Sequence, residues 1–455
     1  MTRLFTTLFC TLLVALSFGQ QEDSLLIRKI ADEVFENGKA YDNLRVLCKT
    51  VGGRVAGSPQ MLKAEAWGVK ALQQAGADKV WLQECMVPHW VRGAKEEAYF
   101  MVGNTKVSLD VLALGNSIGS SPKGVLAPVI LINNFEELEQ RKDEIKGKIV
   151  FYNYKFNNKL VKTFQAYGDA SRYRGQGPSR AAKYGALAVL VRSMSHAADN
   201  NPHTGGMNYD TNYAKIPAAA VGLRDADKLA AAIGANKAIK VFLKTNAKML
   251  PDEKGHNVIG ELIGSEFPDE IITIGGHLDS WDPAEGAHDD GAGCVHSIEV
   301  LRALKAIGYK PKRTIRIVLF ANEENGLRGG TKYAAEAKEK GEKHYFALES
   351  DAGGFTPRGF GFTMKPEQLK KVQSWGDLFK PYSVFELTAG GGGADIGPLN
   401  RTFGTPLAGL SPDSQRYFDI HHARSDVFEA VNKRELELGA INMAVLVYLV
   451  DKYGL

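Results

Sequence analysis

The stretch GGHLDSWDPAEGAHDDGAG, residues 275–293, carries two histidines and four aspartates in nineteen positions. It follows a β-branched run, Ile271-Ile272-Thr273-Ile274, and holds little that could fill a core. Three further polar clusters stand downstream: Glu323 and Glu324 in ANEEN, Asp351 in ESDAGG, and His421 and His422 in YFDIHHARSD. Imidazole nitrogen and carboxylate oxygen together suit zinc. A single carboxylate after a strand more often caps a helix or faces water, so no one cluster decides the matter. Their recurrence after successive strands is what points to a metal site. Adjacent Glu323 and Glu324 suit a division of labour, one ligating and the other free as a general base with a raised pKa. In His277-Leu278-Asp279, the alternation of a strand end puts both polar groups on one side. Asp279 is then placed to hydrogen-bond the second imidazole nitrogen and fix its tautomer.

Those clusters need a scaffold that gathers strand ends. From His256 onward strands alternate with helices, with strands expected at 258–263, 271–274, 314–320 and 345–348. This alternation predicts an α/β fold with a doubly wound, mostly parallel sheet. Functional groups collect beyond the carboxyl ends of such strands. Val295, Ile298, Leu301 and Leu304 recur at helical spacing, and Gly308 ends that helix. Upstream, residues 24–48 and 61–76 read as helices around a Gly-rich turn, GGRVAGSPQ. From about Gly124 to Thr245 the texture changes to short strands, at 125–132, 148–152, 188–191 and 241–243, without a dense acidic or histidine cluster. This reads as an inserted, mostly structural lobe.

A chain of 455 residues exceeds one ordinary core, so two domains are expected. Hydrophobic content of 44% with 24% charged residues describes a soluble globular protein. The net charge of +4 is small and no basic run stands out, which excludes nucleic acid as a partner. Arg3 precedes an apolar stretch, residues 4–16, and then Ser17-Phe18-Gly19 puts small residues at −3 and −1. This predicts a cleaved signal sequence over residues 1–19, hence export to the extracellular space or periplasm with no membrane anchor afterwards. Cleavage leaves Cys48, Cys85 and Cys294. The first two could pair, and the third sits on an apolar helix face as a buried free thiol.

Taken together, NVIGELIGSEFPDEIITIGGHLDSWD, HDDGAG, FANEENG, ESDAGG and HHARSD resemble the di-zinc peptidases of family M28. The motifs VPHWVRG, ALGNSIG, GKIVFYN, PHTGG and PKRTIRIVLF extend the resemblance over essentially the whole mature chain. The resemblance implies a zinc-peptidase domain formed by residues 20–123 and 246–455, with a protease-associated (α+β) domain inserted at 124–245. It implies two zinc ions per chain. His277 and Asp351 would bind one, Glu324 and His422 the other, and Asp289 would bridge them. Glu323 would be the base and Asp279 the orienter of His277. His422 is preferred to His421 because the family ligand stands four residues before an Asp, here Asp426. His421 and Asp395 are expected at the substrate, Asp395 in a loosely matching Gly-rich stretch, AGGGGADIGPL. His288, which departs from the family pattern, is expected in a surface loop. The implied activity is hydrolysis of dipeptides or short peptides with free termini by a homodimer. Three alternatives stay open at this point: a broader aminopeptidase, a binding protein that has lost catalysis, and a single-zinc acyltransferase on the same fold.

Overall fold

The computed structural model describes residues 21–455; the expected signal sequence, with Cys10, lies outside the described residues. Sixteen strands run along the described chain. The first six are β1 (Lys79–Val91), β2 (Glu97–Val102), β3 (Thr105–Leu109), β4 (Val111–Ala113), β5 (Val125–Ile132) and β6 (Ile149–Tyr152). They are followed by β7 (Ala188–Arg192), β8 (Ala218–Val221), β9 (Lys240–Lys244), β10 (Lys248–Leu262) and β11 (Phe267–His277). The last five are β12 (Arg313–Phe320), β13 (Lys343–Glu349), β14 (Pro357–Thr363), β15 (Glu386–Ala389) and β16 (Leu407–Pro412).

They form two sheets of eight. The first has the order β1-β10-β12-β11-β13-β16-β14-β15, and the second the order β3-β2-β9-β5-β6-β7-β8-β4. In the first, β12, β11, β13 and β16 pair in parallel, while β1, β10 and β14 add antiparallel neighbours. The sheet is therefore mixed, with four of its seven pairings parallel, β14 with β15 included. Long β1 and β10 are the cause: they pair antiparallel from Lys79 with Glu261 to Val91 with Lys248. This ribbon carries the chain out of the first sheet and back. Everything in the second sheet lies between its two strands. The second sheet thus reaches back to Glu97, ahead of the expected 124, through three short antiparallel strands whose mixed polarity gave no periodic signal.

Both sheets bury both faces. On β12, Ile315, Ile317 and Leu319 enter one apolar cluster while Val318 and Phe320 enter another, the period-2 alternation of a covered sheet. On β6, Ile149 and Phe151 face one side and Val150 and Tyr152 the other. The helices Ala292–Ala306 and Lys433–Tyr453 pack together beneath the first sheet, with Val295, Ile298, Leu301 and Leu304 all buried as their spacing requires. The expected helix 24–48 is two helices, 21–37 and Ala40–Thr50. The break falls at Gly38, a poor helix former, and the Lys39 N–H after it donates to the buried Glu299 carboxylate at 3.0 Å. No helix among the described residues is long and apolar enough to cross a membrane.

Candidate active site

The carboxyl ends of the parallel strands converge on one cleft. β11 ends at His277, β12 leads within four residues to Glu323 and Glu324, and β13 leads within two to Asp351. Asp289 lies just before the helix Ala292–Ala306, and its peptide bond to Asp290 is cis. His421 and His422 follow the short helix Tyr417–Ile420. The cleft holds about 440 Å³ and is walled by Asp289, Glu323, Glu324, Asp351, His421 and His422, among others.

The two oxygens of Asp289 face two different sets of groups. Oδ1 lies 3.2 Å from His277 Nε2, which is itself 3.3 Å from Asp351 Oδ1. Oδ2 lies 3.2 Å from His422 Nε2, which is 3.1 Å from Glu324 Oε2. Burial opposes charge on Asp289, but the neighbouring imidazoles of His277 and His422 outweigh it and hold the carboxyl well below its usual range. Asp289 Oδ2 and Glu324 Oε1 are buried without a hydrogen-bond partner. Buried acceptors left open beside two imidazoles are what a cation site requires. Glu323 edges the same cleft. Burial, together with the charges of Asp351, Glu324 and Asp279, pushes its carboxyl well above the usual range despite the opposing pull of His277.

The sequence profile of Peptidase family M28 matches residues 257–447, which include every one of these groups. Carboxypeptidase Q of Xenopus laevis is 37% identical over 412 residues, 90% of this chain and 86% of that protein. The chain belongs to peptidase family M28. A solved M28 peptidase precursor from Shewanella amazonensis superposes with a TM-score of 0.90 at 31% identity, covering 95% of this chain and 97% of that one. A zinc aminopeptidase from Bacillus subtilis shares the fold, with a TM-score of 0.63 at 19% identity over 90% and 93% of the two chains. Membership makes the protein a peptidase, and the cleft above is where its M28 segment gathers its polar groups.

Asp279 is fully buried, but its role differs from the one expected. The His277 Nδ1 proton goes to the Asp279 main-chain carbonyl at 2.9 Å, while the carboxylate is 3.8 Å away. That carboxylate instead accepts the N–H groups of Glu323 at 2.9 Å and Glu324 at 3.3 Å. One residue thus orients the imidazole by its backbone and the Glu323-Glu324 turn by its side chain. The turn needs that support because Asn322 before it has φ 63°.

Neighbouring Asp290 can be set apart from Asp289. Together with His277 and Asp351 it offers atoms close enough for a metal, yet its oxygens already accept the N–H groups of His277 at 3.0 Å and Gly293 at 2.9 Å. It ties the end of β11 to the helix that follows.

The two adjacent histidines do not point apart. His422 has φ +60°, which bends the chain, and the two rings stack at 3.5 Å. His421 Nε2 comes within 3.4 Å of Asp289 Oδ2 but meets no second carboxylate. His288 is not in a surface loop. It is 1% exposed and stacked on Phe355, with its Nδ1 accepting from Gly354 N–H and its Nε2 at the Ala430 carbonyl. An aromatic partner and two main-chain partners make it an apolar-compatible core group. Asp395, expected at the substrate, does not line the cleft. It is fully buried with neither oxygen hydrogen-bonded. Burial first, then the charges of Glu349 and Glu323, drive its pKa well above the usual range. Cys48, Cys85 and Cys294 are all buried free thiols.

Two residues hold the site's main chain in ways that the sequence pattern did not show. Arg54, in the Gly-rich turn, is fully buried and donates to the carbonyls of Leu278, Glu285 and Gly286, lashing both ends of the opening motif together. Asp426 accepts the N–H groups of His288 at 2.8 Å and Asp289 at 3.1 Å, which fixes the segment that carries Asp289. Both bridge more than 130 positions of sequence, beyond the reach of any local pattern.

Proposed function

We propose that the protein is a secreted zinc exopeptidase that hydrolyses dipeptides and short peptides with free termini, using two zinc ions. The single observation that carries this reading is the division of Asp289 between His277 with Asp351 and His422 with Glu324. The donor set fits zinc: two imidazoles and three carboxylates, with buried oxygens left unpaired. In this reading His277 and Asp351 would hold one ion and Glu324 and His422 the other, with Asp289 available to both. His422 is chosen over His421 because it alone meets a second carboxylate. Similarity to carboxypeptidase Q supports the carboxypeptidase assignment, and the zinc aminopeptidase supports the choice of metal by analogy of fold. Bound zinc supplies Lewis-acid polarisation of the scissile carbonyl. Glu323, with its raised pKa, takes the proton from the attacking water and returns it to the leaving amine. His421, beside Asp289 but outside both donor sets, faces the carbonyl oxygen as charge develops on it. Asp279 holds Glu323 and Glu324 in register.

The same reading assigns the first sheet and its helices to the peptidase domain and the second sheet, from Glu97 rather than 124 to Lys244, to a protease-associated insertion. It also includes a signal sequence at residues 1–19 and a homodimer, which rest on the sequence pattern and the family resemblance. The test is hydrolysis of a panel of dipeptides, tripeptides and blocked dipeptides by the purified protein, before and after chelation and after zinc is restored. Cleavage confined to free-ended short peptides and restored by zinc is expected. Chelator-resistant cleavage, or cleavage indifferent to peptide length, overturns the reading.

A further inference from the structure

The lobe of the second sheet reaches the candidate metal set through two short segments. Residues 114–117 follow β4, and residues 202–207 lie between β7 and β8. The two pair in parallel at Gly115 and Gly206. Gly115 N–H donates to the Gly205 carbonyl at 2.9 Å, and Met207 N–H to the Gly115 carbonyl at 3.0 Å. The Thr204 hydroxyl adds a bond to the Ala113 carbonyl at 2.8 Å. Trp281, from the opening motif, seats its ring at this crossing. A Cβ on Gly115 would overlap that ring, whose edge also meets His422 with centroids 5.9 Å apart.

One segment grips His422 and the other grips the turn that carries Glu324. Thr204 N–H donates to the His422 carbonyl at 3.0 Å, and the Thr204 carbonyl meets His422 Nδ1 at 3.3 Å. A carbonyl only accepts, so this contact keeps the proton on Nδ1 and leaves Nε2 for a cation. Gly205, at φ +132°, permits the close approach, since a Cβ there would lie 2.6 Å from His422 Nδ1. Asn116, at φ 66°, exchanges bonds with Asn325. Asn325 Nδ2 donates to Asn116 Oδ1 at 3.1 Å, and Asn116 Nδ2 donates to the Asn325 carbonyl at 3.3 Å. Both gripped stretches hold left-handed residues: His422 at φ 60°, and Asn322 and Leu327 at 63° and 54° on either side of Glu324. Such backbone persists only where its neighbours over-determine it.

His277 and Asp351 are held from elsewhere. His277 N–H donates to Asp290, His277 Nδ1 to the Asp279 carbonyl, and Ser350 N–H, beside Asp351, to the Gly275 carbonyl at 3.1 Å. All of these lie inside the M28 segment, whereas Asn116, Thr204 and Gly205 lie outside it. Resting on the two-zinc reading above, we propose that the second-sheet lobe is a working part of one metal site only. Residues 114–117 and 202–207 position Glu324 and His422, so the ion those two would hold depends on the lobe, and the ion at His277 and Asp351 does not.

The experiment titrates metal-free full-length protein with zinc against a chromophoric chelator, for wild type, Asn116→Gly, Gly205→Ala and Asn134→Ala. Thermal unfolding of the metal-free forms is measured alongside. Asn116→Gly suits the left-handed backbone and removes only the amide. Wild type should take two ions. In Asn116→Gly one ion should keep its wild-type constant and the other should bind roughly 10–100-fold more weakly, the usual cost of a lost supporting contact to a metal ligand. Gly205→Ala should weaken the same ion further. Asn134→Ala alters a helix cap in the lobe outside the cleft lining and should leave both constants unchanged. Adding Asn116→Gly to His422→Ala, which already lacks that site, should alter zinc binding no further. Should Gly205→Ala fail to fold, Asn116→Gly decides alone. Two ions weakened equally in Asn116→Gly, no ion weakened there, or an equal loss in Asn134→Ala overturns the proposal. A wild-type protein that takes fewer than two ions would instead sink the two-zinc reading, and the proposal with it.

Discussion

Four parallel strands form the middle of each sheet: β12, β11, β13 and β16 in the first, β5, β6, β7 and β8 in the second. The two sets of strand ends are used differently. After β5, Asn134 caps a helix by accepting Glu137 N–H at 2.7 Å, and the Glu137 carboxylate returns to Asn133 N–H at 2.8 Å. At the ends of β6 and β7, Arg192 bridges Asn153 and Asp227. These polar groups satisfy one another. At the ends of β11, β12 and β13 they do not, since Asp289 Oδ2 and Glu324 Oε1 stay open. Parallel strands supply positions; a site arises where the groups placed there are left wanting a cation. The second sheet's layer adds to the wall of that cleft, through Tyr167, Arg174 and Gly206.

Glu323→Gln should separate the two regions most sharply. It removes the base but no donor of the metal set, so turnover should fall roughly 10²–10⁴-fold with metal content unchanged. Steady-state kinetics with metal analysis reads both, and loss of metal would mean that the roles of Glu323 and Glu324 are reversed. Asp279→Asn keeps the His277 contact to the main chain but weakens the grip on the N–H groups of Glu323 and Glu324. Activity should drop on the order of 10–100-fold, and a change below about threefold would make the carboxylate a bystander to catalysis.

The next contrast concerns charge buried within the strands. The first sheet holds Arg316 on β12 against Glu261 and Glu342. Burial tends to raise the Glu342 pKa, but hydrogen bonds from His344 and Arg316 outweigh it and lower it to about 2. A depressed carboxylate stabilises the fold above its unfolded pKa, near 4.5, and that stabilisation is lost as pH falls through about 2. Urea unfolding at pH 6 and pH 3 should show Glu342→Gln less stable than wild type by on the order of 2 kcal/mol at pH 6, with the gap narrowed to roughly half at pH 3. An equal gap at both pH values would show that charge is not the cause. The smallest effect belongs to the second sheet: Asn134→Ala should cost about 1 kcal/mol of stability in the same assay and leave kcat unchanged. A loss of activity there would erase the distinction between the two sets of strand ends.

Much of the first sheet's role was readable from sequence because its chemistry is local. His277, Glu323, Glu324 and Asp351 each follow a β-branched or apolar strand within a few residues, so pattern and chemistry coincide. The histidine pair was harder. An extended backbone would have sent His421 and His422 to opposite faces, and only the left-handed φ of His422 brings both rings to Asp289. His288 reads as a surface residue and Asp395 as a substrate residue in sequence because polar type is visible and burial is not. Arg54 was silent for the opposite reason: it acts across long separations and carries no spacing that marks it. Asp426 was visible only as the Asp four residues after His422, and its grip on the Asp289 segment, 137 positions away, was not. The break at Gly38 likewise depends on Glu299, 260 positions away from Lys39.

Metal stoichiometry tests the central claim most directly, because the claim is that Asp289 stands between two complete donor sets. Purified wild-type protein, His422→Ala and His421→Ala should be dialysed against limiting zinc and counted by elemental analysis. Two zinc ions per chain are expected in wild type and in His421→Ala, falling toward one in His422→Ala. One ion in wild type, or a His421→Ala protein that loses zinc beside a His422→Ala protein that keeps two, would contradict it.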